Sequence, residues 1–242
     1  MATCEPDSKA AATTSPIKIS PKTYSLPLLE NPHQGLAPPT QDGETVCIRG
    51  YFSYFHYGCD GHQDVGWGCG YRTLQSAISW IIGRRGSSAD GSQEAQWFVP
   101  SIREIQAILV AIGDKDQQFE GSCDWIGTLE EFYVMDVLYQ LPCRILHVRQ
   151  LGSPEVVDQI RSYFNEFQGF IAMGGVNGDS ASKAIVGWHR SEAGKVFLLV
   201  VDPHFAEPPA CQQKLIDRGY VRWVPIEDFL DSSYNLCLIL QP

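Results

Sequence analysis

Basic residues are scarce in this sequence. Its 242 residues include 18 Lys and Arg against 28 Asp and Glu, which gives a formal net charge of −10. Binding to nucleic acid requires a positive field against the phosphates, and the short pair Arg84-Arg85 does not supply one. We therefore expect no nucleic acid partner, while the negative charge by itself identifies no other partner.

Long apolar runs and a leader-like start are lacking as well. No apolar run approaches the roughly 18 to 20 residues that a membrane span requires. Residues 1–15 have neither a basic start nor an apolar centre, so they do not resemble a signal peptide. We expect a cytoplasmic protein with no membrane span.

The eight cysteines include no Cys-x-x-Cys pair, the spacing that marks many zinc and redox sites. In a reducing compartment, free thiols are the expected state. A zinc site built from His56, Cys59, His62 and Cys69 is an alternative, but their spacing is not that of a standard ligand pair. We expect neither a metal ion nor another cofactor.

The remaining composition is that of one globular domain. Because 44% of the residues are hydrophobic and only 19% are charged, the chain can form a large core. Residues 1–44 are rich in Pro, Ser and Thr, which predicts a flexible or extended N-terminal arm. We assign residues 45–242 to the domain and expect a monomer.

Helices are predicted mainly in the first part of the domain. One apolar face recurs at i, i+3, i+4 and i+7 and is formed by Leu74, Ala77, Ile78 and Ile81. Capping boxes, in which a Ser or Thr and a Glu three residues later satisfy backbone donors, predict two further helix starts. These lie at Ser101 with Glu104 and at Thr128 with Glu131, and Ser153-Pro154 starts a fourth helix.

Strands are predicted mainly in the last third of the chain. The aromatic-rich run Val46 to His56 predicts an early strand or hairpin. Later β-rich runs are Cys143 to Val148, Gly169 to Met173, Ala184 to His189, Val196 to Val201, Tyr220 to Val224 and Leu236 to Leu240. This order indicates an α+β fold, with helices packed on a central, mostly antiparallel sheet.

Cys69 stands where a glycine-rich loop, Gly66-Trp67-Gly68, meets the first predicted helix. A helix N-terminus carries partial positive charge and unpaired N–H groups. Both favour a thiolate, which is the nucleophilic form of cysteine. A buried structural cysteine is the alternative interpretation.

Asp202-Pro203-His204 directly follows the predicted strand Val196 to Val201. Residues i and i+2 of an extended chain point to the same side, so Asp202 and His204 are expected to share one face. An Asp beside a His fixes its tautomer and stabilises the imidazolium. A simple turn is the alternative, because Asp-Pro often opens turns.

Taken together, these residues are the parts of a thiol protease. Cys69 would attack a peptide or isopeptide carbonyl, and His204 would take and later return the proton. The tetrahedral intermediate needs hydrogen-bond donors, for which the backbone N–H of Cys69 and a phenol hydroxyl above the thiol are candidates.

Further motifs surround these residues in order along the chain. They are His56-Tyr57-Gly58-Cys59-Asp60, Gly70-Tyr71-Arg72 with Gln75, Asp124-Trp125-Ile126-Gly127 with Glu130, Met173-Gly174-Gly175, and Tyr234-Asn235-Leu236-Cys237. With the Cys69 and His204 motifs they resemble the ubiquitin-fold-modifier-specific cysteine proteases over roughly residues 46 to 240. The chain looks most like the shorter, single-domain members.

The resemblance implies a papain-like fold, a Cys69, His204 and Asp202 triad, and Tyr57 at the oxyanion hole. It also implies the ubiquitin-fold modifier as partner, both as precursor trimmed to its C-terminal Gly and as lysine conjugate. The groove beside the nucleophile is expected to include Trp67, Gly68 and Gly70. Core packing is the alternative for Tyr57 and Trp67, and Arg72 has two candidate partners, an acidic ligand or a core carboxylate.

Two other functions stay open at this point. An autophagin-type protease, which acts on a different ubiquitin-like modifier, shares the Gly-Trp-Gly-Cys helix start and the Asp-Pro-His motif. A non-catalytic binder of the modifier is the other alternative. His147 and His189 lie in strand patterns, where a satisfied or solvent-facing histidine is expected rather than a catalyst.

Overall fold

A computed structural model describes residues 18–24, 26–86, 98–176, 179–229 and 233–240. In chain order its elements are β1 (Glu44–Cys47), α1 (Cys69–Gly86), α2 (Ile102–Ala111), α3 (Thr128–Tyr139), β2 (Cys143–Val148), α4 (Pro154–Phe167), β3 (Ile171–Val176), β4 (Ser182–Arg190), β5 (Val196–Val201), α5 (Gln212–Asp217), β6 (Val221–Pro225) and β7 (Ser233–Ile239). Short 3₁₀ turns lie at Gln117–Phe119 and Ile226–Asp228.

The strands form one seven-stranded sheet, six of them in the order β2-β7-β3-β4-β5-β6. The seventh, β1, pairs with residues 187–190 of β4, past the part of β4 that pairs with β3. Every pairing among the described strands is antiparallel. The predicted α+β class with an antiparallel sheet is therefore confirmed, and each late β-rich run corresponds to an observed strand.

Both faces of the sheet are covered. On β3, Ile171 belongs to the cluster beneath α4, whereas its neighbour Ala172 belongs to the larger cluster beneath α1, α2 and α3. The predicted apolar face of α1 lies in the larger cluster, where Leu74 and Ile78 are fully buried. This burial fixes α1 against the sheet and therefore fixes the position of its first residue, Cys69.

The predicted strand or hairpin over Val46 to His56 is wrong beyond β1. Its aromatic side chains are buried except for that of Tyr51, and past Ile48 its backbone amides bond to side chains or loop carbonyls rather than to a strand of the sheet. The amide of Phe52 donates to Asn31 Oδ1 over 3.0 Å, and the amide of Phe55 donates to Ser76 Oγ over 3.0 Å. The aromatic residues of this segment therefore indicated that most of its side chains are buried, and not that it pairs as a strand.

The two predicted capping boxes differ in outcome. The Ser101 and Glu104 box is confirmed, with the Ser101 amide 2.7 Å from Glu104 Oε2 and the Glu104 amide 3.3 Å from Ser101 Oγ. The box at α3 is wrong by one residue, because the Gly127 amide donates to Glu130 Oε2 over 2.9 Å. The one-residue shift turns Glu131 into the interior.

Ser101→Ala is expected to lower the free energy of unfolding by about 1 kcal/mol, because an N-cap hydroxyl satisfies a backbone donor that alanine leaves unpaired. Urea denaturation of the two proteins measures the difference. The exposed Ser162→Ala on α4 is the matched control and should change stability far less. Equal losses in both variants would contradict a capping role for Ser101.

The described part of the N-terminal segment lies against the domain. Lys22 Nζ is 2.6 Å from Glu104 Oε2, and the ring of Tyr24 packs edge-on against Phe55 with centroids 5.9 Å apart. Residues 1–17 and Ser25 lie outside the described residues, so the division between arm and domain at residue 45 stays a prediction. Across the described ranges, no helix has the length and apolarity to cross a membrane.

Candidate active site

A buried arginine holds the loop that precedes the nucleophile. Arg72, on the first turn of α1, is fully buried and donates to Asp64 over 2.8 and 3.0 Å and to Asp60 over 2.8 and 2.9 Å. Burial alone would lower the pKa of Arg72, but the two carboxylates raise it. Asp64 also accepts from the Gly58 amide over 2.8 Å, so the loop is tied to the helix at both ends.

The glycines on either side of Cys69 are required by close packing. A Cβ on Gly68 would lie 2.2 Å from Asp64 Oδ2, and a Cβ on Gly70 would lie 2.5 Å from the Ile126 carbonyl oxygen. Neither position has room for a side chain. The loop therefore turns into α1 directly above Asp64, which leaves the Cys69 sulfur at the N-terminus of that helix.

The Asp202-Pro203-His204 segment follows the end of β5 and faces the N-terminus of α1. Asp202 Oδ1 accepts hydrogen bonds from His204 Nδ1 and, over 2.9 Å, from the His204 amide. Burial raises the pKa of Asp202, but the hydrogen bond with His204 lowers it below its ordinary value overall. The predicted shared face is therefore present, and the carboxylate holds the ring by Nδ1.

Cys69 and His204 meet at the centre of the site, where the imidazole hydrogen-bonds the sulfur. Burial raises the pKa of the Cys69 thiol, but this hydrogen bond and the Ser182 and Gly70 backbone N–H groups lower it overall. Burial lowers the pKa of His204, whereas Asp202 and Cys69 raise it to about 9. Both shifts favour the pair of thiolate and imidazolium over the pair of neutral thiol and neutral imidazole.

Tyr57 closes the other side of the sulfur. Its hydroxyl hydrogen-bonds Cys69, and its ring lies edge-on to the His204 ring with centroids 5.2 Å apart. Burial and the Cys69 charge raise the pKa of the phenol, so the hydroxyl keeps its proton as a donor. The Tyr57 amide donates to the Pro203 carbonyl over 3.1 Å, which joins the two chain segments directly.

The structure brings together the four predicted catalytic residues, Cys69, His204, Asp202 and Tyr57. Trp67 is half-buried between the rings of His62 and Tyr71, with centroids 5.6 and 5.7 Å apart. Gly68 and Gly70 are buried by their packing, and their contact with substrate stays a prediction. The partners of Arg72 are core carboxylates, which decides between its two alternatives.

Three site residues escaped the sequence reasoning. They are Asp64 beneath the loop, Ser182 with its backbone N–H on the Cys69 sulfur, and the buried Glu131 beside Ser182. Only Asp64 had a sequence signal, because a buried arginine at the helix start requires a carboxylate nearby. Ser182 contributes through its backbone, which leaves no mark on residue type.

The two histidines of the zinc alternative have other environments. His56 Nδ1 contacts the carbonyl oxygens of Tyr57 and Phe205 over 2.9 and 3.1 Å. The ring of His62 packs on Trp67. Within the described residues, no three His, Cys, Asp or Glu side chains come together as metal ligands.

The two strand histidines are both engaged away from the site. His189 is buried and hydrogen-bonds Thr40 and Thr45 over 2.8 and 2.7 Å. His147 is exposed and hydrogen-bonds Asn235 over 2.6 Å.

The chain is similar to known proteins over most of its length. Residues 43–237 match the family model of peptidase family C78. The chain is 62% identical over 236 residues to a Drosophila melanogaster protein named Probable Ufm1-specific protease 1, covering 98% of this chain and 95% of that protein. It is 35% identical over 217 residues to the mouse Ufm1-specific protease 1, covering 88% and 94%.

A solved structure confirms the predicted papain-like fold. The crystal structure of UfSP from C. elegans superimposes with a TM-score of 0.71 at 30% sequence identity. The match covers 89% of this chain but only 38% of the nematode chain. The family-model match over residues 43–237, with the Drosophila and mouse relatives matched over most of their own length, makes this chain a member of peptidase family C78, a cysteine peptidase.

Proposed function

We propose that this protein is a thiol protease for the ubiquitin-fold modifier Ufm1. It trims the modifier's precursor to expose the C-terminal Gly and removes the modifier from lysine conjugates. The hydrogen-bonded row Asp202, His204 and Cys69 carries the proposal, because it places a thiolate, a proton carrier and an orienting carboxylate in line. The names of the Drosophila and mouse relatives support the substrate.

The reaction begins from the thiolate and imidazolium pair. The Cys69 sulfur forms a bond to the scissile carbonyl carbon, and the carbonyl electrons move to the oxygen. The Tyr57 hydroxyl and the Cys69 backbone N–H donate to that oxyanion, as donors that need no reorganisation during the step. His204 gives its proton to the leaving nitrogen as the carbon–nitrogen bond breaks, which leaves a thioester on Cys69.

Water then completes the cycle. Neutral His204 takes a proton from a water molecule, whose oxygen attacks the thioester carbonyl. The carbon–sulfur bond breaks, and the thiolate and imidazolium pair is restored. Precursor peptide and lysine isopeptide differ only in the amine that leaves, so both pass through the same acyl-enzyme.

A panel of tagged ubiquitin-like precursors tests the proposal, with products read by mass. We expect cleavage after the C-terminal Gly of the Ufm1 precursor and none of the autophagy modifier. Cleavage of the autophagy modifier alone would instead assign the autophagin-type function. A thiol-reactive activity probe tests the binder alternative, because a protein that only docks the modifier would leave Cys69 unlabelled.

Tyr57→Phe is expected to lower kcat by about 10²- to 10³-fold with little change in KM, because removing one oxyanion donor acts on the transition state. Steady-state cleavage of the Ufm1 precursor measures both constants. Tyr51→Phe is the matched control, since Tyr51 is 65% exposed in the same segment. A Tyr57→Phe enzyme with wild-type kcat would exclude the hydroxyl from the oxyanion site.

A further inference from the structure

A fully buried carboxyl group lies beside the site and has no part in the chemistry described above. Glu131, on the first turn of α3, has no exposed surface. Its Oε1 accepts from the Ser182 hydroxyl over 3.3 Å, and its Oε2 has no hydrogen-bond partner among the described residues. Within the same residues, no Lys, Arg or His forms an ion pair with it.

Ser182 connects this carboxyl group to the nucleophile. It is the first residue of β4, where it pairs with Gly174 of β3. Its backbone N–H hydrogen-bonds the Cys69 sulfur, while its hydroxyl faces Glu131. Ser182 therefore links the Glu131 carboxyl group to one of the hydrogen-bond donors of the Cys69 sulfur.

Apart from the Ser182 hydroxyl, the groups around Glu131 oppose its ionisation. Cys69 lies towards Glu131 from α1, and Glu130 precedes it on α3. The Glu131 charge also interacts with Cys237 on β7, which is next to Cys143 of β2. None of these groups carries positive charge. Burial, followed by the charges of Cys69 and Glu130, raises the pKa of Glu131 to about 8, although the Ser182 hydrogen bond lowers it.

We propose that Glu131 is a positioning residue that serves the site only in its neutral form, holding Ser182 and with it the backbone donor to the Cys69 sulfur. The proposal rests on the proposed thiol protease function. A neutral carboxyl group stays buried next to a thiolate at little electrostatic cost. Its ionised form places a second negative charge behind the nucleophile and opposes both the thiolate and the oxyanion that follows.

The proposal separates two titrations on the alkaline side of the activity profile. Without Glu131, activity is lost when His204 gives up its proton, at a pKa of about 9. With Glu131 present, activity is lost earlier, as its pKa of about 8 is passed. In the wild type, the alkaline limb therefore follows the titration of Glu131. When Glu131 is replaced, the limb follows the titration of His204.

The test is kcat/KM against pH for Ufm1 precursor cleavage by wild type and Glu131→Gln. We expect the midpoint of the alkaline limb to rise by about one pH unit in the variant, and normalised profiles make this independent of the absolute rate. Asp136→Asn, at an exposed carboxylate on the same helix, is the matched control and should keep the wild-type limb. Superimposable limbs for wild type and Glu131→Gln would overturn the proposal.

A second measurement needs no substrate and therefore stands apart from the proposed function. The folded pKa of Glu131 exceeds its ordinary value of 4.5, so between pH 4.5 and about 8 the folded protein holds a proton that the unfolded chain releases. That group's contribution to stability falls as pH rises through this window. The thermal midpoint of Glu131→Gln minus that of wild type should grow from pH 4.5 to 8 and then level off.

A midpoint difference that is independent of pH would also overturn the proposal. If Glu131→Gln does not fold, Ser182→Ala replaces it, because loss of the hydroxyl removes the one contact that lowers the pKa of Glu131. Its alkaline limb should then move to higher pH, and an unmoved limb counts against the proposal. A wild-type protein that fails to cleave the precursor contradicts the proposed function alone.

Discussion

His204→Ala is expected to lower kcat/KM for Ufm1 precursor cleavage by about 10⁵-fold. The substitution removes the proton donor for the leaving nitrogen, and it also removes the hydrogen bond that most lowers the pKa of the Cys69 thiol. Triad members act as one unit, so a single loss takes away most of what the whole triad contributes. Single-turnover cleavage with excess enzyme gives the rate without interference from product release.

Two further proteins make this result specific. The double variant Cys69→Ala, His204→Ala should be no slower than Cys69→Ala alone, because each loss already disables the same step. His147→Ala, at an exposed histidine engaged with Asn235, is the matched control and should keep the wild-type rate. Retention of more than a tenth of wild-type activity in His204→Ala would remove this histidine from the mechanism.

Asp202→Asn is expected to lower kcat by about 10⁴-fold. The Asp202 carboxylate accepts from His204 Nδ1 and so keeps the other ring nitrogen directed to the sulfur. An asparagine amide donates to Nδ1 instead, which puts the ring proton on the wrong nitrogen. The pKa of His204 should also fall from about 9, because the Asp202 hydrogen bond is the largest influence that raises it.

The pH dependence distinguishes loss of orientation from simple damage. In Asp202→Asn the window in which thiolate and imidazolium coexist should narrow from its alkaline side, and alkylation of Cys69 followed against pH measures it. Asp217→Asn, at an exposed carboxylate on α5, is the control. A variant with less than a tenfold loss of kcat and an unshifted window would show that Asp202 does not orient the imidazole.

Local sequence cues predicted those parts of the fold that depend on neighbours along the chain. The apolar spacing from Leu74 to Ile81 identified α1, and the Ser101 box identified the start of α2. The same cue misplaced the start of α3, because Thr128 with Glu131 fits the capping-box pattern whereas the pair that is used, Gly127 with Glu130, does not. The true N-cap is Gly127, which has no side chain to announce it.

The candidate site was predictable to the extent that its parts are contiguous. The spacing of Asp202 and His204 gave their shared face directly. The meeting of Cys69 with His204 depends on how α1 packs against β3 and β4, which no local pattern encodes. The chemistry of the two residue types and the family resemblance suggested it. Ser182 and Glu131 were out of reach, because their roles arise from sheet register and a one-residue helix offset.

The hydrogen bond from the Tyr57 amide to the Pro203 carbonyl has a consequence for how substrates are selected. It joins the two chain segments that flank the reacting sulfur, and the Tyr54 hydroxyl adds a second tie to the Asp202 carbonyl over 2.5 Å. We expect these two hydrogen bonds to oppose separation of the segments when a substrate enters. We therefore expect the protein to select substrates whose terminus is narrow and flexible enough to fit between the two segments.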